Sequence, residues 1–137
     1  MQKLYIQQTP NTPEIKLSPE ENVFLIRGTS APEDVRALYY PVIEWTRIFV
    51  DDVINGVFKK YNRKTPIDFH VDLAYFNSSS AKFLYDILSE LKKIPRDTCP
   101  VVVNWHYDEE DIDMKDAGND IATLVEMEFR YISKPKS

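Results

Sequence analysis

The chain has 137 residues, a mass of 16.0 kDa and a formal charge of −5. That length suits one domain with its own core, and 43% hydrophobic against 28% charged residues argues against global disorder. The single cysteine, Cys99, excludes an internal disulfide and any multi-cysteine zinc or iron–sulfur site, and the acidic balance argues against a nucleic-acid binder held by phosphate contacts.

No stretch approaches the roughly eighteen apolar residues of a membrane span, and Met1-Gln2-Lys3-Leu4 lacks the apolar region of a signal peptide. A cytoplasmic domain over residues 1–137, with no membrane insertion, is expected. The three glycines, Gly28, Gly56 and Gly118, lie too far apart for a phosphate-binding loop. The acidity is local. Seven carboxylates and one lysine fall between Asp108 and Asp120, and the rest of the chain carries a net +1.

In chain order, Leu4-Tyr5-Ile6 and Glu14-Ile15-Lys16-Leu17 read as short strands around the turn chemistry of Thr9-Pro10-Asn11-Thr12-Pro13. Ser18–Asn22 gives a second turn, and Val23–Arg27 a third strand ending at Gly28. Ser30 and Glu33 have capping-box spacing, with Pro32 in the first turn. Val35, Leu38, Val42, Trp45, Ile48, Phe49, Val53 and Phe58 then recur at helical spacing. Pro41 inside this run predicts a short helix followed by a longer one ending near Gly56.

Ile67–Leu73 alternates as a strand with one polar side. Asn77-Ser78-Ser79-Ser80 supplies four cap-forming residues in succession, and Phe83, Leu84, Ile87, Leu88, Leu91 and Ile94 mark an amphipathic helix that stops at Pro95. Val101–Trp105 reads as a buried strand. The acidic segment then starts another helix, because carboxylates suit a helix N-terminus. Glu126–Ile132 alternates as a last strand, and residues 133–137 read as a flexible tail. The order strand–helix–strand–helix–strand from residue 65 predicts a parallel or mixed sheet with right-handed crossovers. The fold class is therefore α/β, a single domain with N-terminal hairpin strands and helices packed on the sheet.

His70 and Asp72 share one side of their strand, as a catalytic pair would, although such pairs more often line a polar face. His106 faces the carboxylate segment, where a raised pKa is expected. Cys99, before Pro100 and a buried strand, reads as an inert, partly buried thiol. The acidic segment fails the EF-hand spacing: a loop carrying Glu109, Asp111 and Asp113 puts Met114 where glycine belongs. A looser Mg²⁺ site is one reading, but a solvated acidic loop that contacts a protein suits the pattern better. No cofactor or metal is expected. At Asn77–Ser80 a serine at the start of a helix is either a cap or a phosphorylation switch, and a phosphate there meets unsatisfied backbone N–H groups.

Two stretches carry a resemblance. Leu73-Ala74-Tyr75-Phe76-Asn77-Ser78-Ser79-Ser80-Ala81-Lys82 and Val103-Asn104-Trp105-His106-Tyr107-Asp108-Glu109-Glu110-Asp111-Ile112-Asp113-Met114 resemble the SiaC family of bacterial regulatory phosphoproteins. Thr12-Pro13-Glu14-Ile15, Gly28-Thr29-Ser30-Ala31-Pro32-Glu33 and Tyr39-Tyr40-Pro41-Val42-Ile43-Glu44-Trp45 add to it, in the family's order and across nearly the whole chain. The resemblance implies a STAS-like domain, similar to anti-anti-sigma regulators. It implies phosphorylation by a GHKL-like serine/threonine kinase and reversal by a PP2C-type phosphatase. It also implies that the unmodified form activates a diguanylate cyclase, so that phosphorylation controls cyclic-di-GMP output.

The family's modified threonine, in an Asn-Thr-Ser-Ser motif, maps onto Ser78, with Ser79 and Ser80 as alternatives. The expected partner-binding residues are Asn77, Ser79, Lys82, Asp108, Glu109, Glu110, Asp111 and Asp113. Two competing readings are a small acidic metal-dependent hydrolase using Asp68, His70, Asp72 and the Asp108–Asp113 carboxylates, and a passive adaptor that is never modified.

Overall fold

Alternation along the strands sorts their side chains onto two unlike faces. Ile15 and Leu17, Phe24 and Ile26, then Ile67, Phe69, Val71 and Leu73, and then Val103 and Trp105 are all buried. The residues between them are polar or only half-buried. The computed structural model describes residues 2–135 and closes these strands into one six-stranded mixed sheet in the order β1-β2-β3-β4-β5-β6. The strands are β1 (Leu4–Ile6), β2 (Glu14–Ser18), β3 (Val23–Ser30), β4 (Ile67–Phe76), β5 (Val101–Asp108) and β6 (Phe129–Lys134).

Strands β1 to β3 form the expected antiparallel entry, and β3 to β6 run parallel. The parallel strands are joined by α1 (Val35–Ile54), α2 (Ser78–Lys92) and α3 (Ile112–Val125). Three crossovers stepping the same way across a sheet put their helices in one layer. Accordingly α1 packs on α2 and α2 on α3, and among the described residues the three helices share one side of the sheet.

Several local expectations give way to tertiary packing. Strand β3 does not end at Gly28 but runs on to Ser30, with a register shift that pairs Gly28 with Leu73 and Thr29 with Tyr75. Gly28 has φ +118°, and a Cβ there would stand 2.8 Å from the Gln8 amide nitrogen. Ser30 and Glu33 form no capping box. Ser30 lies buried in the strand, and Asp34 caps α1 by accepting from the Ala37 N–H at 3.1 Å.

Nor does Pro41 divide the helix. An interior proline costs about 3 kcal/mol, whereas burying Val42, Ile43, Phe49, Val50 and Val53 stabilises by about 1.5–3 kcal/mol each. The carbonyl deprived of its donor belongs to Ala37, an exposed residue. Further along, Glu126 adopts a left-handed conformation (φ 57°) as the cap of α3, so the last strand starts at Phe129 and not at Glu126. The expected tail is partly strand: Ser133 pairs with Tyr107 and Lys134 with Asp108. The last two residues of that tail lie outside the described residues.

Gly118 sets how closely α3 approaches the sheet. A Cβ on it would sit 2.6 Å from the Trp105 indole nitrogen, which donates to the Met114 carbonyl at 2.9 Å.

Candidate functional site

Parallel strands deliver their C-terminal ends to one edge of the sheet. The segments after Ser30, Phe76 and Asp108 therefore emerge side by side in strand order. The turn between β1 and β2 joins them there, since the Ala31 N–H donates to the Asn11 carbonyl at 2.9 Å. In open α/β sheets this edge is where ligands and partners are usually received.

Each of the four residues Asn77–Ser80 has a different task. Asn77, not a serine, caps α2: its side-chain oxygen accepts from the Ser80 N–H at 2.9 Å, and its own N–H donates to the Ser30 carbonyl at 3.0 Å. Ser79 is exposed, and its hydroxyl donates to the same Asn77 oxygen at 3.0 Å. Ser80 is fully buried in a closed hydroxyl chain. Its Oγ donates to the Ser30 carbonyl (3.0 Å) and accepts from Ser30 Oγ (2.8 Å), which in turn lies 2.6 Å from the Tyr39 hydroxyl. With Ser30 donating to Ser80, the Tyr39 hydroxyl is the donor to Ser30. Burial pushes the Tyr39 phenol above its usual pKa, against the two serine hydrogen bonds that pull the other way. The chain ties the end of β3, α1 and the first turn of α2 into one unit. Ser78, the first helical residue, is exposed, and among the described residues its hydroxyl has no hydrogen-bond partner.

The acidic segment arrives along the same edge. Asp108 ends β5, 3.9 Å from the Lys134 ammonium, and Glu109 donates its N–H to the Lys134 carbonyl at 2.9 Å. Asp111 is structural, capping α3 through the Met114 N–H at 3.0 Å. Asp113 lies in the first turn of α3, where its charge suits the helix terminus. Glu109, Glu110 and Asp113 are exposed. Lys82 is exposed on α2 and pairs with Asp86 at 3.2 Å.

Two exposed hydrophobic residues on this edge escape a reading by alternation. Tyr75 (54% exposed) belongs by parity with the buried residues of β4, but the bulge after Leu73 reverses the phase. Phe76 now points to the helix side, edge-on to Trp105 at 5.9 Å, and Tyr75 turns outward. Ile112 is 56% exposed at the start of α3. The parity break at Ala74-Tyr75-Phe76 is the only signal the sequence offers for Tyr75.

Asp68, His70 and Asp72 of the hydrolase reading lie on the sheet face opposite the buried residues of β4, but among the described residues His70 and Asp72 do not bond each other. His70 Nδ1 lies 2.9 Å from His106 Nε2, Asp72 is held by the Lys134 ammonium, and Asp68 accepts from Asn104 at 3.4 Å. The expected rise in the His106 pKa is reversed. Burial lowers it, and His70 and Lys134 add to that, against the raising influence of Asp72. Cys99 is buried, and burial pushes its thiol up.

The structure is thus a mixed α/β sheet that carries an exposed serine hydroxyl at a helix N-terminus and an acidic segment on the same sheet edge. Comparison with known proteins gives its family. Residues 6–134 match the model of the SiaC family regulatory phosphoproteins, and the chain belongs to that family. It is 32% identical to an uncharacterised protein of Pseudomonas aeruginosa strain UCBPP-PA14 over 108 residues, 79% of this chain and 78% of that protein. Apo-SiaC from Pseudomonas aeruginosa superposes with a TM-score of 0.77 at 26% identity, covering 98% of this chain and 99% of that one. A chain in the crystal structure of the diguanylate cyclase SiaD with its activator SiaC, from the same organism, matches with a TM-score of 0.77 at 26% identity over 97% and 99% of the two chains.

Proposed function

We propose that the chain is a non-enzymatic cytoplasmic signalling domain, switched by reversible phosphorylation of Ser78, whose unmodified form binds and activates a diguanylate cyclase. One observation carries the reading: of the three consecutive serines, Ser80 is buried, Ser79 is bonded to the cap, and Ser78 offers an exposed hydroxyl at the family's modification position. The cyclase is the effector class that suits a family with a solved member described as activator of such an enzyme.

A GHKL-like kinase transfers the γ-phosphoryl group of ATP to Ser78 Oγ, breaking the β–γ anhydride bond as ADP leaves and the hydroxyl loses its proton. A PP2C-type phosphatase hydrolyses the ester with water to restore the hydroxyl and release inorganic phosphate. The phosphate does not threaten the fold, because Asn77 already caps the helix and backbone N–H groups of the first turn favour an anion. It does threaten an interface. About −1.5 to −2 charges would have to be desolvated beneath a partner, beside Asp108, Glu109, Glu110 and Asp113. The partner surface comprises Ser78, Ser79, Lys82 and that acidic loop, with Tyr75 and Ile112 as apolar anchors.

The test is peptide-mapping mass spectrometry of the protein from its native cells, before and after PP2C-type phosphatase treatment, paired with cyclase activity measured against Ser78→Ala. A removable phosphate on Ser78, and a Ser78→Ala protein that activates cyclase but cannot be silenced by kinase, is the expected result. Phosphate absent in every growth phase, or confined to Ser79, would overturn the assignment.

A further inference from the structure

Lys82 stands between two acids, one present and one conditional. It follows Ser78 by four residues and precedes Asp86 by four, so all three share one helix face. In the unmodified protein its ammonium pairs with Asp86 at 3.2 Å and lies over the Phe83 ring, 5.1 Å from the centroid. These residues also wall a groove of about 510 Å³ between α1 and α2, together with Tyr40, Glu44 and Arg47. The groove has an aromatic wall, in which Tyr40 (56% exposed) meets Phe83 edge-on at 5.8 Å. Its charges balance, Glu44 and Asp86 against Arg47 and Lys82, but Arg47 is already drawn to Glu90 at 3.3 Å. Counting all four, the groove is neutral with Lys82 in place, and withdrawal of Lys82 leaves two carboxylates against Arg47.

We propose that Lys82 is exchanged between Asp86 and a phosphate on Ser78, so that modification removes one of the groove's two cations and leaves it net anionic. This rests on the reading of Ser78 given above. Three physical features drive the exchange. An acid placed four residues before a lysine pairs better than one placed four after, and Ser78 holds the better position. Helical side chains lean toward the N-terminus, which aims Lys82 at the turn of Ser78. A phosphoserine carries about −1.5 to −2 charges against the single charge of a carboxylate. One modification then alters two adjoining surfaces, the start of α2 and the groove beside Tyr40.

The test uses the whole protein with phosphoserine inserted at position 78 during translation, and so does not depend on the native kinase. Phosphorus NMR follows the second ionisation of that phosphate. Lys82→Met is expected to raise its midpoint by about 0.3 pH unit, a roughly twofold change in acid constant for a helical i,i+4 ion pair. Asp86→Asn, by removing the competitor, is expected to lower the midpoint, and to do so less in the Lys82→Met background. The Phe83 ring signals should move on phosphorylation in the native sequence and much less in Lys82→Met. Midpoints indifferent to Lys82, with Phe83 signals that respond equally in both backgrounds, would overturn the exchange and leave Ser78 as a simple charge switch. Absence of phosphate on Ser78 in native cells would instead overturn the reading beneath it, while the exchange itself stayed measurable.

Discussion

Replacing Asn77 and Ser78 separately by alanine distinguishes the cap from the switch. The Asn77 side chain satisfies the N–H of a fully buried residue, Ser80, at 2.9 Å and also receives the Ser79 hydroxyl at 3.0 Å. Loss of an N-cap costs about 0.5–2 kcal/mol, and a buried donor left unpaired belongs at the upper end, so Asn77→Ala should destabilise by about 1.5 kcal/mol. With a urea slope of about 1.5 kcal/mol per molar for a domain of this size, the unfolding midpoint falls by about 1 M with the slope unchanged. Ser78→Ala removes a hydroxyl that bonds nothing among the described residues, and alanine suits the first helical turn, so its midpoint should stay within about 0.3 M. Urea titration followed by far-ultraviolet circular dichroism measures both. Equal losses in the two variants would show that Ser78 shares the capping and would refute the division of labour on which the switch depends.

Other outcomes follow from the same structure. Gly118→Ala forces a Cβ to 2.6 Å from the fully buried Trp105 ring and should cost about 1–3 kcal/mol in thermal or urea unfolding, despite alanine's better helix propensity. A neutral result would mean that α3 is free to shift. Burial pushes the Tyr61 phenol up to about 12. Its folded pKa thus exceeds the unfolded value of about 10, so stability is intact below pH 10 and falls as pH rises toward 12. Tyr61→Phe should blunt that alkaline loss, and an identical pH profile would count against it. For His106 the folded pKa is lowered, so its contribution is present above about pH 6.5 and is lost as pH falls through the folded value. Imidazole titration by NMR should place its midpoint below 6.5, and a midpoint above that value would show that Asp72 outweighs burial.

Fold class and the presence of every described strand and helix were legible in local pattern, and the family in a resemblance that runs across nearly the whole chain. Apolar alternation in Ile67–Leu73, helical spacing after Ser80 and a carboxylate-rich helix start all act within one or two turns of chain, which is the range over which sequence speaks directly. The unbroken α1, the buried Ser30 and the outward turn of Tyr75 were not legible. Pro41 is outweighed by side chains buried against the sheet, Ser30 is claimed by Tyr39 nine residues on and by Ser80 fifty residues on, and a bulge between two strands sets the direction of Tyr75. The sequence by itself narrowed the proposed modification to three consecutive serines, with Ser78 at the position the family resemblance implies. Only the tertiary structure decided which of the three hydroxyls is exposed and unbonded among the described residues, because a hydroxyl's availability depends on what the rest of the fold has already bonded.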